Sequence, residues 1–157
     1  MQKISPFLWL DDNAEDAMNF YLSVFKNSKV GSVSRCGEAG PGPAGSVLVA
    51  TIQIEGQDFM LLNGGAHYKM TPAISFMVHC EDQAEVDYLW DKLLEGGEAM
   101  ACGWLTDKFG VTWQITPNIL GELLQDEDPE KAGRVMKSMM EMIKIDIPTL
   151  QKAYDGE

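Results

Sequence analysis

Cysteine and histidine are scarce in this chain of 157 residues: Cys36, Cys80 and Cys102, with His67 and His79. An odd cysteine count without a C-x-x-C pair excludes a disulfide framework and a zinc knuckle, leaving reduced, partly buried thiols. A metal centre needs three or more converging ligands, usually with His or Cys among them. With no His-x-x-His, His/Glu cluster or cysteine pair to seed one, no metal is expected, and both histidines read as structural. Positive charge is also short, 12 Lys and Arg against 24 Asp and Glu, a formal net charge of −12. Phosphate backbones and anionic lipid repel such a chain, which removes nucleic acid and membrane surfaces from the expected partners. No apolar run reaches membrane-spanning length, and Met1-Gln2-Lys3 leads into a strand-like segment and not a signal peptide, so the chain is read as cytoplasmic.

Several catalytic signatures are missing as well. There is no G-x-S-x-G elbow to activate a serine, and the acids concentrate in helix first turns and in the solvated DEDPE stretch, with no identifiable acid pair. Gly40 to Gly45 formally spells G-x-G-x-x-G. A nucleotide or S-adenosylmethionine site requires that turn between a strand and a helix, whereas here two prolines occupy it and a β-rich segment follows. It reads as a surface loop, and no cofactor is expected. Cys102 in Ala-Cys-Gly-Trp reads as a small buried residue rather than a reactive thiol.

What remains is ordered. Ile4 to Leu10 is an apolar, aromatic-rich strand, followed by an Asp11-Asp12-Asn13 turn that caps a helix. Ala14, Ala17, Met18, Tyr21, Leu22 and Phe25 make that helix's apolar face. Strands follow over Val30 to Arg35, Ser46 to Glu55 and Phe59 to Leu62, the first two separated by the Gly/Pro loop from Gly37 to Gly45. The pattern then restarts. Ile74 to Cys80 is a strand, and Asp82 to Glu95 a helix with Ala84, Val86, Leu89, Trp90 and Leu93 as its apolar positions. Glu98 to Trp104 and Val111 to Thr116 are strands, with Thr106 to Gly110 as a turn.

Shifted by seventy positions, Leu8, Leu10, Asp12, Ala14, Glu15 and Phe20 fall on Val78, Cys80, Asp82, Ala84, Glu85 and Trp90. At a smaller offset Gly56, Phe59 and Leu61 fall on Gly110, Trp113 and Ile115. Agreement in order and in element type points to a duplicated βαβββ module. One domain is expected over residues 1–157, with a first module over 1–65, a second over 66–117 and a helical tail over 118–157. In the tail, a helix from Pro129 through Lys144 sets Val135, Met136, Met139, Met140 and Ile143 on one side. That face has to pack on its own sheet or across a two-fold axis, which predicts a homodimer.

The stretches ISPFLWLDDNAEDAMNFYLSVF, AISFMVHCEDQAEVDYLWDKL and CGWLTDKFGVTWQITP, with the tail DPEKAGRVMKSMMEMIKIDIPTLQKAYDG, resemble the PhnB-like branch of the vicinal-oxygen-chelate (glyoxalase/bleomycin-resistance/dioxygenase) superfamily. That branch often carries the name 3-demethylubiquinone-9 3-methyltransferase. The resemblance implies an α+β fold of two βαβββ modules with curved mixed sheets, half a barrel each around a cleft, usually dimeric. Metal-dependent members place His, Gln or Glu at the first and last strands of each module. Carried over, those positions are Ser5 or Pro6, Met60, Ile74 or Ser75, and Gln114, of which only Gln114 is a good ligand. The expectation is metal-independent binding of a small, largely apolar molecule by Trp9, Met60, Met77, His79, Trp104 and Gln114, in a cleft lined by both modules. The rival reading is an enzyme of the glyoxalase/dioxygenase type, or a methyltransferase as the family name suggests, with a metal or cofactor site of another pattern.

Overall fold

A computed structural model describes residues 2–157. The chain divides into two compact units, the first ending at Met70 and the second running Thr71–Glu157, so the tail belongs with the second module.

In the first unit β1 (Phe7–Leu10) leads into α1 (Ala14–Val24), then β2 (Ser28–Arg35), β3 (Val47–Ile54) and β4 (Gln57–Asn63). The sheet order is β1-β4-β3-β2, with β1 parallel to β4 and the other pairs antiparallel. The helical crossover carries the chain from β1 to the far edge at β2, and two antiparallel steps bring it back to β4 beside β1. Alternation decides the faces: Leu8 and Leu10, Ala50, Ile52 and Ile54, and Phe59 and Leu61 are buried with Ala17, Met18, Tyr21 and Val24 of α1. Strand β1 is shorter than the apolar run, because Ile4 is exposed and Pro6 offers only its carbonyl, which accepts from Met60 N at 2.9 Å.

The second unit repeats the plan with β5 (Ser75–Cys80), α2 (Gln83–Leu94), β6 (Glu98–Ala99), β7 (Trp104–Thr106) and β8 (Thr112–Pro117), in order β5-β8-β7-β6. Its registers superpose on those of the first. Leu8 pairs with Leu61 and Val78 with Ile115; Leu10 pairs with Asn63 and Cys80 with Pro117. Both matched glycines have positive φ, Gly56 at 81° and Gly110 at 85°. Helix α2 buries Val86, Leu89, Trp90 and Leu93 as expected, while Ala84 faces water.

Two expectations need correction. Glu98 to Trp104 is not one strand: it breaks into β6 and the start of β7 around a tight turn in which Cys102 (φ 61°) and Gly103 (φ 82°) are left-handed. Nor is the methionine face of the tail single. The tail comprises α3 (Asn118–Leu124), α4 (Pro129–Met140) and α5 (Ile147–Asp155). Helix α4 stops at Met140, after which the chain runs on so that the Met142 and Ile143 carbonyls accept from Cys102 N (2.9 Å) and Gly103 N (2.8 Å). Val135, Met139 and Met142 join Leu120, Leu123, Ile145 and Leu150 in a small core of the tail's own. Met136 (42%), Met140 (65%) and Ile143 (54%) face outward.

Candidate functional site

Each sheet has one face packed on its helix and one face without a helix of its own unit. All six sequence-derived candidates fall on this second, open face. In the first unit Trp9 shares the face with Phe7 on β1, and Met60, in register with Phe7, sits diagonally beside it on β4. In the second unit Met77, Gln114 and Trp104 are successive register partners across β5, β8 and β7 and form one cross-strand row. His79 lies two residues beyond Met77 on the same face, opposite Thr116, and is exposed.

Trp9 is held from three sides. Its Nε1 donates to the Gly65 carbonyl at 2.8 Å, and the Tyr68 ring meets it edge-on at 4.9 Å between centroids. Gly64 must be glycine, because a Cβ there would come within 2.3 Å of the indole ring. Gln114 is fixed too: its Nε2 donates to Ser75 Oγ at 2.8 Å, tying β8 to the edge strand β5. Sequence reading did not single out Thr112, which pairs with Ser75 on one side and Thr106 on the other. The available signal was strand alternation, since Thr112 stands two residues before Gln114. Thr112 is 2% exposed, and its hydroxyl has no hydrogen-bond partner among the described residues. Beside Thr112, Thr106 Oγ1 donates to the flexible Met100 thioether at 3.5 Å.

The motif DKFGVTW explains itself in the same sheet. Asp107 is buried at the turn before β8, and Oδ1 accepts from Phe109 N (2.8 Å) and Val111 N (3.1 Å) while Oδ2 accepts from Trp113 Nε1 (2.9 Å). This carboxylate is fully engaged in holding the hairpin and the indole. Cys80 is equally unsuited to chemistry: burial, reinforced by the Glu85 carboxylate, pushes its thiol up to about 12.

The positions that the resemblance gives for the ligands of metal-dependent members, Ser5 or Pro6, Met60, Ile74 or Ser75, and Gln114, supply a hydroxyl or a proline, a thioether, an aliphatic side chain or a hydroxyl, and an amide. None is charged and none is an imidazole, and Gln114 has its amide nitrogen committed to Ser75. Divalent ions of the first transition row favour imidazole, carboxylate or thiolate, so this donor set does not fit one. Among the described residues no group of three His, Cys, Asp or Glu is arranged to hold a metal ion. The Gly40–Gly45 segment joins β2 to β3, two antiparallel strands, so no helix N-terminus follows it.

Solved structures share this architecture. A PhnB protein from Bacillus cereus is 41% identical, with 74% of this chain and 99% of that one covered at a TM-score of 0.69. A protein from Pseudomonas aeruginosa (21% identity; 74% and 98% covered; TM-score 0.63) and the fosfomycin resistance protein FosX from Listeria monocytogenes (16%; 80% and 98%; 0.57) share the fold. These neighbours and the repeated βαβββ topology place the chain in the vicinal-oxygen-chelate superfamily. Within it, the chain belongs to the PhnB-like family described as 3-demethylubiquinone-9 3-methyltransferase, whose model matches residues 2–116. The match ends before α3. No curated protein matches the chain. Among the described residues no helix is long and apolar enough to cross a membrane.

Proposed function

We propose that the chain binds a small, largely apolar molecule on the open sheet faces without the help of a metal ion. The observation that carries this reading is the Met77–Gln114–Trp104 row: an aromatic and a thioether flank one amide, itself oriented by Ser75. Ligand sites are commonly apolar walls with a few oriented polar groups, and this row has that composition. The neutral donor set supports metal independence, since nothing in it compensates a divalent charge. The family description names a methyl transfer to a demethylubiquinone, a substrate of matching apolar character. The Gly40–Gly45 loop lacks the strand-to-helix setting of a nucleotide or S-adenosylmethionine cradle, so binding rather than methyl transfer is the function proposed.

The protein is further proposed to act as a cytoplasmic homodimer, the exposed Met136, Met140 and Ile143 stripe on α4 and the segment after it favouring burial against a second copy. A native mass spectrum of protein isolated from its own host tests both parts. The expected result is twice the 17.4 kDa chain mass plus a retained organic molecule of a few hundred daltons. Monomers with no adduct at any concentration would contradict it.

A further inference from the structure

Burying a hydroxyl without a partner is costly, and among the described residues the Thr112 hydroxyl is the one buried side-chain polar atom left without one. Valine fits the same strand position without that cost. The hydroxyl does not stand alone. Register pairs Thr112 with Ser75 on β5, across neighbouring strands that run about 4.8 Å apart. Ser75 Oγ already accepts from Gln114 Nε2, so its hydrogen is left to donate outward. Two hydroxyls are thus register partners on the sheet face that carries the Met77–Gln114–Trp104 row, Ser75 half-buried and Thr112 buried beneath the side chains around it.

We propose that Ser75 and Thr112, steadied by Gln114, anchor a carbonyl oxygen of the bound molecule. This rests on the reading that the open face holds a small molecule, and it names that molecule's polar group. A carbonyl oxygen has two lone pairs and accepts from both hydroxyls at once. Charge argues for a neutral acceptor over a carboxylate or phosphate. Glu98 closes the same row at β6, in register with Thr106, and the chain as a whole carries −12. The Met100 thioether, bonded to Thr106, is the flexible side chain that swings aside to admit the oxygen.

The test uses indan-1-one and indane, two probes of one shape that differ by the carbonyl oxygen, in ligand-detected NMR titrations against the full chain. Wild type should bind indan-1-one about tenfold more tightly than indane, the value of one well-made hydrogen-bonding anchor. Thr112→Val should abolish the preference while raising the melting temperature by about 2–4 °C, because an unpartnered buried hydroxyl is removed. A merely structural threonine would not separate the two effects. Ser75→Ala, on the edge strand, should abolish the preference without the thermal gain, since Gln114 loses its acceptor, and it stands as the second variant should Thr112→Val fold poorly. Equal binding of the two probes to wild type overturns the anchor and leaves the binding reading intact. A preference that survives in Thr112→Val does the same. Failure of both probes to bind at millimolar concentration overturns the anchor and the reading beneath it.

Discussion

The two βαβββ units have one topology and matched registers, yet they stabilise equivalent points by different means. At the N-terminus of α1 the expected cap from the Asp11-Asp12-Asn13 turn is not made, since Asn13 forms no side-chain cap bond; instead Asn63, at the end of β4, accepts from Ala14 N at 2.8 Å and donates to the Val47 carbonyl at 2.8 Å. The register equivalent of Asn63 in the second unit is Pro117, which offers no side-chain acceptor and turns the chain into α3. There α2 is capped locally, by Asp82 accepting from Glu85 N at 2.9 Å. The hairpins differ in the same way. Between β3 and β4 two residues suffice, Glu55 and Gly56, both with positive φ as the I′ turn demands. Between β7 and β8 a longer turn is organised around the Asp107 carboxylate. The second unit's β6–β7 connection leans on the backbone of the tail, whereas the eight-residue β2 and β3 of the first pair with each other. A duplicated fold keeps its registers and its buried face; caps and turns are free to be reinvented.

That contrast can be broken piece by piece. Asp107→Ala should have the largest effect, a loss of about 3 kcal/mol measured by urea unfolding, because three donors, two of them in buried bonds, lose their acceptor together. Gly56→Ala, at the equivalent turn of the first unit, should cost only about 1 kcal/mol, the strain of a positive φ. Next come the caps. Asn63→Ala should cost about 2 kcal/mol, since it removes a cap and a strand bond at a partly buried site, against about 1 kcal/mol for Asp82→Ala. Equal losses for the two caps would show that the distant cap is no more deeply built in than the local one.

The smallest effect concerns how the tail is tied to α2. Lys144 Nζ lies 2.8 Å from Asp87 Oδ1, and Gln83 reaches across to the backbone of Ile145 and Ile147. The hydrogen bond from Lys144, joined by Gln83, lowers the Asp87 pKa; the same bond from Asp87 raises that of Lys144. A depressed carboxylate contributes stability that is present above its ordinary value and lost as pH falls through the lowered one. A raised lysine contributes stability that is full below its ordinary value and lost as pH rises through the raised one. The contribution should therefore be flat between about pH 4 and pH 10 and fade outside that window. Both side chains are well exposed, so its size is about 0.5 kcal/mol, read as faster amide exchange at Ile147 in Lys144→Met at neutral pH.

Periodicity made most of this architecture legible. The alternation of Ala50, Ile52 and Ile54 and the helical spacing of Val86, Leu89, Trp90 and Leu93 name the buried faces, and the offset matches name the equivalent positions of the two modules. What was not legible depends on contacts distant in sequence. Nothing around Glu98 to Trp104 announces a turn except Gly103, because its left-handed residues are stabilised by carbonyls some forty residues later. The methionine stripe reads as one face only if the helix continues to Lys144; pairing with that same turn draws the chain out at Met140. The candidate site divides likewise. Alternation places Trp9, Met60, Met77, His79, Trp104 and Gln114 on open faces, but the Ser75–Gln114 bond and the stranded Thr112 hydroxyl exist only in three dimensions.

Metal content tests the central claim most directly. Purified protein incubated in turn with Zn²⁺, Mn²⁺, Ni²⁺ and Fe²⁺, dialysed, and analysed by inductively coupled plasma mass spectrometry should retain no stoichiometric ion, because the open face of the second unit offers a neutral amide and a hydroxyl and that of the first a thioether where metal-dependent members place His, Gln or Glu. One ion retained per chain, and lost in Gln114→Ala, would contradict the account and make the chain a metal-dependent member of its superfamily.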